Sequence, residues 1–337
     1  MDKQYQDRKR VFSGHISDVY SAIDTVSGKL VCLKIVDADF NVKPHNIRRE
    51  IHILQNLKHP NILEYVNSYE HFDDVVLVTP FYEYTLASIV KSPKYSRQTM
   101  KYDFENPLNN RIETSNRLND EAISGFIKGI SSALQYIHGQ GIIHRDVKPS
   151  NIYFSSEDIT RPILGDFGIS YKGPTADESD DQKFLDVSTG IFKAPELCLG
   201  VTDYGNEIDI WSLGIILTIL YSPKFHSVID LSDDSDEDGQ GAVLSDLYLI
   251  NAIFNNFGTP YIEQGQYEDV RPFWPELKSP KYHFIEFSFK HQPRKSAQDL
   301  IPRCQDERIS TLFQDMTRYN RRISAESICQ TLTNSAS

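Results

Sequence analysis

A short cluster of carboxylate, ammonium and amide side chains constrains the fold of this 337-residue chain more than any other sequence feature. The segment Ile142–Ile152 reads IIHRDVKPSNI, and it is followed by Asp166-Phe-Gly and then by Ala194-Pro-Glu. Asp146 can accept or orient a proton, and Lys148 can stabilise negative charge two residues further on. Asn151 and Asp166 offer oxygen ligands of the kind that Mg²⁺ prefers. The alternative is that Asp146 only caps a helix or completes a buried ion pair.

The order and spacing of these three motifs resemble the protein kinase family, whose catalytic loop H-R-D-x-K-x-x-N precedes D-F-G and A-P-E. The resemblance implies an α+β, two-lobed kinase fold. A small β-rich N-lobe is expected at 1–82 and a larger, mainly helical C-lobe at 83–330, with the hinge near 80–86. It also implies transfer of the ATP γ-phosphate with Mg²⁺ as the metal. In that reaction Asp146 and Lys148 would be catalytic, and Asn151 and Asp166 would bind the metal.

The same resemblance implies an ATP site between the lobes. Lys34, in the strand-like VCLK, matches the lysine that pairs with ATP phosphates, and Glu50 on the next helix matches its partner. Asp209 and the pair Glu196–Arg322 match structural positions. Val11, Gly14, Val19 and Cys32 would lie above the nucleotide, and Tyr153 would lie below it. Thr79 would be the gatekeeper, and Pro80 and Tyr82 would belong to the hinge. Plain core packing is the alternative for each apolar member.

Two further segments are similar to the cyclin-dependent-kinase branch. Pro44–Leu54 reads PHNIRREIHIL, and Ser245–Pro260 ends in FGTP. The chain departs from that branch in its phosphate-covering loop, where only Gly14 remains of three glycines, so Phe12 and Ser17 would crowd the phosphates.

The activation segment is a second departure. Phe184, which cannot accept a phosphate, stands where the branch has its activating threonine. We therefore expect Phe184 and Leu185 to pack into the lobe interface. Asp181 or Asp186 is expected to pair with Arg49 or Arg145.

Both departures resemble the fungal monomeric cyclin-dependent-kinase-activating kinases. This resemblance implies a monomeric Ser/Thr kinase that needs no cyclin and phosphorylates the activation-loop threonine of a cyclin-dependent kinase. Two alternatives remain open. One is a conventional cyclin-dependent or stress-type kinase, and the other is a pseudokinase scaffold that binds partners through its acidic loops.

Charge and cysteine content limit the partners and the compartment. The net charge of −12 provides no global basic field for binding nucleic acid. Four widely spaced cysteines without a CxxC motif suggest reduced thiols and a cytoplasmic or nuclear protein. The apolar run Ile208–Tyr221 is too short for a bilayer and contains Asp209, so we expect a buried core helix and no membrane partner. The polar N-terminus resembles no signal peptide.

Pattern analysis supplies the other expected elements. Strands are expected around Val19–Ile23, Leu30–Val36 and Val75–Val78, and helices over 47–57 and 121–138, the latter capped by Asn119 or Asp120. Pro44 is expected near the first turn of the earlier helix. Residues 91–117 look like a polar loop inserted in the C-lobe. Residues 231–241, within an acidic insert near 226–244, look like a solvated loop that can be deleted at little cost.

Overall fold

The computed structural model describes residues 4–39, 42–102, 110–229, 246–279, 282 and 289–334. In these ranges the N-terminal part is built mainly of strands and the C-terminal part mainly of helices. The architecture is therefore α+β with two lobes, as expected. The lobes meet just after Pro80, where the last strand of the N-terminal sheet ends.

The N-lobe is organised around one antiparallel sheet in the order β1-β2-β3-β5-β4. Its strands are β1 (Tyr5–Ser13), β2 (Asp18–Asp24), β3 (Leu30–Asp37), β4 (Asn67–His71) and β5 (Asp74–Pro80). Val31 and Leu33 alternate along β3 toward a small core that also contains Val76 and Val78 of β5. Because the period of a strand is two, Cys32 and Lys34 lie on the opposite face.

Helix α1 (Ile47–Gln55) packs against this sheet and carries Glu50 on its buried side. It begins after Asn46, whose side chain accepts the N–H of Arg49. Pro44 therefore lies just before the helix, as expected, although it precedes the cap and is not part of the first turn. The N–H of Asn46 donates to the carbonyl of Gly168 (2.9 Å), which ties the start of α1 to the D-F-G segment.

The C-lobe surrounds a helix that is buried along nearly its whole length. Its helices are α2 (Leu86–Ile89), α3 (Asp120–His138), α4 (Pro195–Cys198), α5 (Glu207–Leu220), α6 (Asp246–Phe257), α7 (Ala297–Leu300), α8 (Glu307–Met316) and α9 (Ala325–Thr333). The expected core helix is confirmed as α5, and the Asn119 side chain caps α3 as expected. No helix in the described ranges is long and apolar enough to span a membrane.

Short strands complete the C-lobe: β6 (Tyr84–Thr85), β7 (Ser96–Lys101), β8 (Arg111–Asn116), β9 (Ile152–Phe154) and β10 (Ile163–Leu164). Strands β6, β9 and β10 form a small sheet just after the hinge. Asn151 immediately precedes β9, and Tyr153 lies within it. The sheet therefore positions residues from the catalytic loop and from the expected floor of the cleft.

The expectation of a polar loop at 91–117 is wrong for its described residues, because β7 and β8 pair as an antiparallel ribbon. The side chain of Asn116 anchors the ribbon by donating to the carbonyls of Leu220 (2.7 Å) and Ser222 (2.8 Å). These bonds fix the base of the ribbon, so a largely exposed, polar pair of strands can form without a core of its own. Residues 230–245 lie outside the described ranges, so the expectation for the acidic insert stays a prediction.

Candidate active site

Lys34, Glu50 and Asp166 form an ion triad between the lobes. The ammonium nitrogen of Lys34 lies 2.8 Å from Glu50 Oε2 and 2.7 Å from Asp166 Oδ1. Burial alone would lower the pKa of Lys34, but the charges of Asp166 and Glu50 outweigh it and raise that pKa. The lysine is therefore a permanent cation that joins β3, α1 and the D-F-G segment.

Asp146 lies in the catalytic loop with its carboxylate fixed by three neighbours. Thr189 Oγ1 donates to Asp146 Oδ1 (2.8 Å), and Asn151 Nδ2 donates to Asp146 Oδ2 (2.9 Å). Lys148 Nζ lies 2.9 Å from Asp146 Oδ2 and donates to Thr189 Oγ1 (2.7 Å). The structure thus brings a base, a cation and a hydroxyl together in the way that a proton-accepting and charge-stabilising site requires.

The backbone of this loop is held from below by Asp209 at the start of α5. Its Oδ2 accepts the N–H of His144 (2.9 Å), and its Oδ1 accepts the N–H of Arg145 (2.8 Å). Arg145 has φ of +70°, a left-handed conformation that an L-residue adopts only at a cost. The two bonds to Asp209 offset that cost and fix the direction in which Asp146 points.

Asn151 and Asp166, the expected metal ligands, each offer an oxygen atom of the kind that Mg²⁺ prefers. Because Asn151 Nδ2 donates to Asp146, its Oδ1 is left as an acceptor. Burial would raise the pKa of Asp166, but Lys34 holds it well below the usual range, so the carboxylate is ionised. These oxygen donors fit a hard divalent cation, which when bound would neutralise phosphate charge.

The roof and hinge of the expected nucleotide cleft come from β1, β2, β3 and β5. Val19 pairs with Lys34 and Cys32 with Thr79, so these residues line one continuous surface. Thr79 is buried at the back, and the carbonyl of Pro80 accepts a long bond from its hydroxyl (3.4 Å). Within the described part of the chain, no hydrogen bond engages the backbone N–H or C=O of Tyr82. Both groups are therefore available to a nucleotide base.

Tyr153 is the expected floor of this cleft. Its ring stacks on that of Tyr82, with the centroids 6.1 Å apart and the planes 14° from parallel. The ring also lies against Gly165, where an added Cβ would come within 2.5 Å of it. A glycine before D-F-G therefore makes room for an aromatic floor where an aliphatic one is usual.

The expected phosphate-covering loop forms its turn between β1 and β2 although only one of the family's three glycines is present. The N–H of Gly14 donates to the carbonyl of Ser17 (3.0 Å) and forms a tight turn between β1 and β2. The ring of Phe12 lies against Gly14, because a Cβ at that position would be 2.7 Å from it. Val11 and Phe12 are both more than half exposed, so the loop projects away from the core.

The activation segment is fixed by a carboxylate that the sequence analysis did not identify. Phe184 and Leu185 are half-buried against the larger core cluster, and their expected position at the lobe interface stays a prediction. Among the described contacts Asp186 does not form the expected pair with either arginine, and the expected pairing with Asp181 stays a prediction. The carboxylate that meets both arginines is Glu178, in the acidic run Ala176–Asp181. No sequence signal distinguishes Glu178 from its acidic neighbours, because what distinguishes it is burial.

The end of the activation segment is joined to the C-lobe by the expected pair of Glu196 and Arg322. Arg322 Nη1 donates to Glu196 Oε1 (2.6 Å) and Nη2 to Oε2 (3.1 Å), and both side chains are almost fully buried. Arg322 also donates to the carbonyl of Glu207 (2.8 Å), at the first residue of α5. This bidentate contact fixes the position of α4.

Comparison with known proteins agrees with this geometry. The family model described as "Protein kinase domain" matches residues 5–331. The chain is 33% identical over 260 residues to the serine/threonine-protein kinase CAK1 of Saccharomyces cerevisiae, covering 69% of each chain. It is 27% identical over 321 residues to the serine/threonine-protein kinase csk1 of Schizosaccharomyces pombe, covering 94% of this chain and 90% of that one.

A solved structure shows the same fold. A chain from the crystal structure of the yeast RNA Pol II CTD kinase CTDK-1 complex superposes with a TM-score of 0.72 at 22% identity, covering 98% of this chain and 92% of that one. Cyclin-dependent kinase D-1 of Arabidopsis thaliana is a further relative, at 25% identity over 319 residues. The family generally uses ATP and Mg²⁺ and acts on protein substrates. The chain belongs to the protein kinase family and is an ATP-dependent protein serine/threonine kinase of its cyclin-dependent-kinase-like branch.

Proposed function

We propose that this kinase phosphorylates the activation-loop threonine of a cyclin-dependent kinase, and that it does so as a monomer without a cyclin. One observation carries the proposal: contacts within the chain itself complete the catalytic arrangement. The Lys34–Glu50 contact is formed at 2.8 Å, and Thr189 already bonds to Asp146 and Lys148. The similarity to the kinase CAK1 supports the substrate class.

The position of α1 supports the absence of a cyclin requirement. In a kinase of this branch, the helix that carries the glutamate must be placed correctly before the lysine can bind phosphate. Here the bond from Asn46 N–H to the Gly168 carbonyl and the ion triad place α1 from within the chain. A partner protein is therefore not needed to bring Glu50 to Lys34.

The test is a phosphorylation assay on a purified cyclin-dependent kinase that lacks its cyclin. The matched control is the same target with its activation-loop threonine changed to alanine, and Asp146→Asn in this chain serves as the inactive enzyme. We expect incorporation of phosphate at the threonine only, with no stimulation by added cyclin.

Other outcomes of the same assay identify the alternatives. Activity that appears only after a cyclin is added would indicate a conventional cyclin-dependent kinase. Absence of transfer to any protein, with Asp146→Asn indistinguishable from the unaltered chain, would indicate a pseudokinase scaffold. Phosphorylation of the alanine control at wild-type rate would show that the acceptor is not the activation-loop threonine.

A further inference from the structure

Glu178 is a fully buried carboxylate within an otherwise largely exposed acidic run, and both of its oxygens accept hydrogen bonds and lie near arginine side chains. Oε1 accepts from Arg145 Nη1 and from the N–H of Phe184 (2.9 Å). Oε2 accepts from Arg145 Nη2 (3.1 Å) and lies 3.7 Å from Arg49 Nη1. Its side chain is 0% exposed. A buried ion is tolerated only when it is paired and hydrogen-bonded in this way.

The groups that surround this carboxylate come from three parts of the molecule. Arg145 adjoins the catalytic Asp146, Arg49 adjoins Glu50 on α1, and Phe184 belongs to the activation segment. Arg145 is itself fixed, since its Nε donates to the Ile169 carbonyl (2.7 Å) just after D-F-G. One carboxylate therefore connects the catalytic loop, α1 and the activation segment.

Tyr204 and Lys183 complete the surroundings of this carboxylate. Tyr204 accepts from Arg145 Nη1 (3.0 Å) and donates to the Phe184 carbonyl (2.6 Å). The ammonium of Lys183 lies over the rings of Tyr171 and Tyr204, 5.2 Å and 5.4 Å from their centroids. The activation segment after Glu178 is therefore fixed at two successive residues, Lys183 and Phe184.

We propose that Glu178 is a positioning residue that permanently replaces an activating phosphate. A phosphate orders an activation segment by bringing arginine side chains onto one anion. The carboxylate of Glu178 offers two oxygens that match the fork of Arg145, and it is part of the chain as synthesised. It also binds the N–H of Phe184, the residue at the aligned phosphate-acceptor position.

This assignment has a consequence for modification of the segment. Because Glu178 engages the fully buried fork of Arg145, a phosphate on a nearby hydroxyl would not find that arginine available. Thr189 Oγ1 is bonded to both Asp146 and Lys148, so phosphorylation there would place negative charge beside the catalytic carboxylate. We therefore expect phosphorylation of Thr189 to inhibit the enzyme.

The test compares charge with shape at position 178. Glu178→Gln keeps the shape and removes the charge, whereas Glu178→Asp keeps the charge and shortens the side chain. Activity is measured as kcat and KM on a mixed Ser/Thr peptide library, so the result depends only on kinase activity and not on the proposed substrate. Asp186→Asn removes an exposed carboxylate from the same segment and is the matched control.

We expect Glu178→Gln to lower kcat by roughly tenfold or more, because it leaves Arg145 buried without a counter-charge. Glu178→Asp should retain more activity than Glu178→Gln, and Asp186→Asn should match the wild type. Glu178→Gly opens the space between the arginines, and inorganic sulfate should then restore part of its kcat. The wild type, at the same ionic strength set with chloride, should not respond.

Hydrogen exchange supplies a readout that does not depend on turnover. We expect faster exchange in Glu178→Gln at the amide of Phe184 and along the rest of the segment up to Thr189, and slower exchange again in Glu178→Gly with sulfate. Wild-type kcat in Glu178→Gln, or Gln retaining more activity than Asp, would overturn the proposal. So would loss of kcat in Glu178→Gly that sulfate leaves unchanged.

Discussion

Replacing Asp209 with asparagine tests how the protein holds its catalytic loop. The two carboxylate oxygens accept the N–H groups of His144 and Arg145, and Oδ2 also lies 2.9 Å from His138 Nε2. Asparagine has the same size but carries one donor where the carboxylate has an acceptor. In either orientation of the amide, one buried backbone N–H therefore faces an NH₂ group.

The expected loss follows from these contacts. A hydrogen bond to a charged acceptor contributes about 1.5–3 kcal/mol, and a buried N–H left without an acceptor costs about 1–3 kcal/mol more. Asp209 is only 1% exposed, so water cannot take the place of the lost oxygen. We expect the free energy of unfolding to fall by about 3–5 kcal/mol. Because Asp146 follows directly on Arg145, kcat should fall about a hundredfold as well.

Urea denaturation followed by far-UV circular dichroism measures the stability of Asp209→Asn, and steady-state kinetics measure its kcat. Glu121→Gln, at an exposed position in the first turn of α3, is the control for loss of a carboxylate. A loss below about 1 kcal/mol together with wild-type kcat would refute the reasoning, because it is what a surface substitution produces.

Further predictions concern the metal site, pH, the nucleotide cleft and the acidic insert. Asp146→Asn should abolish phosphoryl transfer with the fold intact, whereas Asp166→Asn should also weaken Mg²⁺-dependent nucleotide binding in calorimetry. Burial alone would raise the pKa of Asp209, but the bond from His138 and nearby charges lower it. The stabilisation that the ionised Asp209 carboxylate provides is therefore present above its unfolded-state pKa and lost as pH falls. Acid should consequently destabilise the wild type more than Asp209→Asn. Burial raises the pKa of Cys32 to about 11, so its alkylation should accelerate about tenfold per pH unit near neutrality and slow when ATP is bound. Deleting residues 231–241 should change melting temperature and kcat little.

Each of these predictions has an outcome that contradicts it. Wild-type turnover in either aspartate variant, with purity checked by mass spectrometry, would refute the assigned roles. Equal acid sensitivity of the wild type and Asp209→Asn would show that Asp209 does not carry the pH dependence. Alkylation of Cys32 unaffected by ATP would place that thiol outside the cleft. Loss of folding on deletion of 231–241 would show that the acidic insert packs against the rest of the protein.

Much of the site could be predicted from sequence because its residues belong to contiguous motifs. Asp146, Lys148 and Asn151 are fixed relative to one another by their own loop, and the spacing to Asp166 follows from the short strands β9 and β10. Helices α3 and α5 could also be predicted from sequence. A capping asparagine precedes the amphipathic pattern of α3, and α5 is apolar along nearly its whole length.

What could not be predicted depends on contacts between distant residues. The pairing of β7 with β8 is stabilised by bonds from Asn116 to the end of α5, and the sequence of the ribbon itself is merely polar. Glu178 likewise belongs to a run of acidic residues, and only the fold selects it for burial against Arg145 and Arg49. Local composition cannot predict which acidic residue is buried, because the stabilisation comes from distant arginine side chains and not from the neighbouring acidic residues.

The central claim is that the chain is an active kinase as synthesised, without modification or a cyclin. The most direct measurement is the initial rate of phosphoryl transfer by phosphatase-treated protein made in bacteria, verified as unphosphorylated by intact mass and as monomeric by light scattering. We predict a linear time course from the first point, with a rate that neither added cyclin nor an activating kinase increases. A protein that stays inactive until Ser179, Ser188 or Thr189 is phosphorylated, or until a cyclin binds, would contradict the claim.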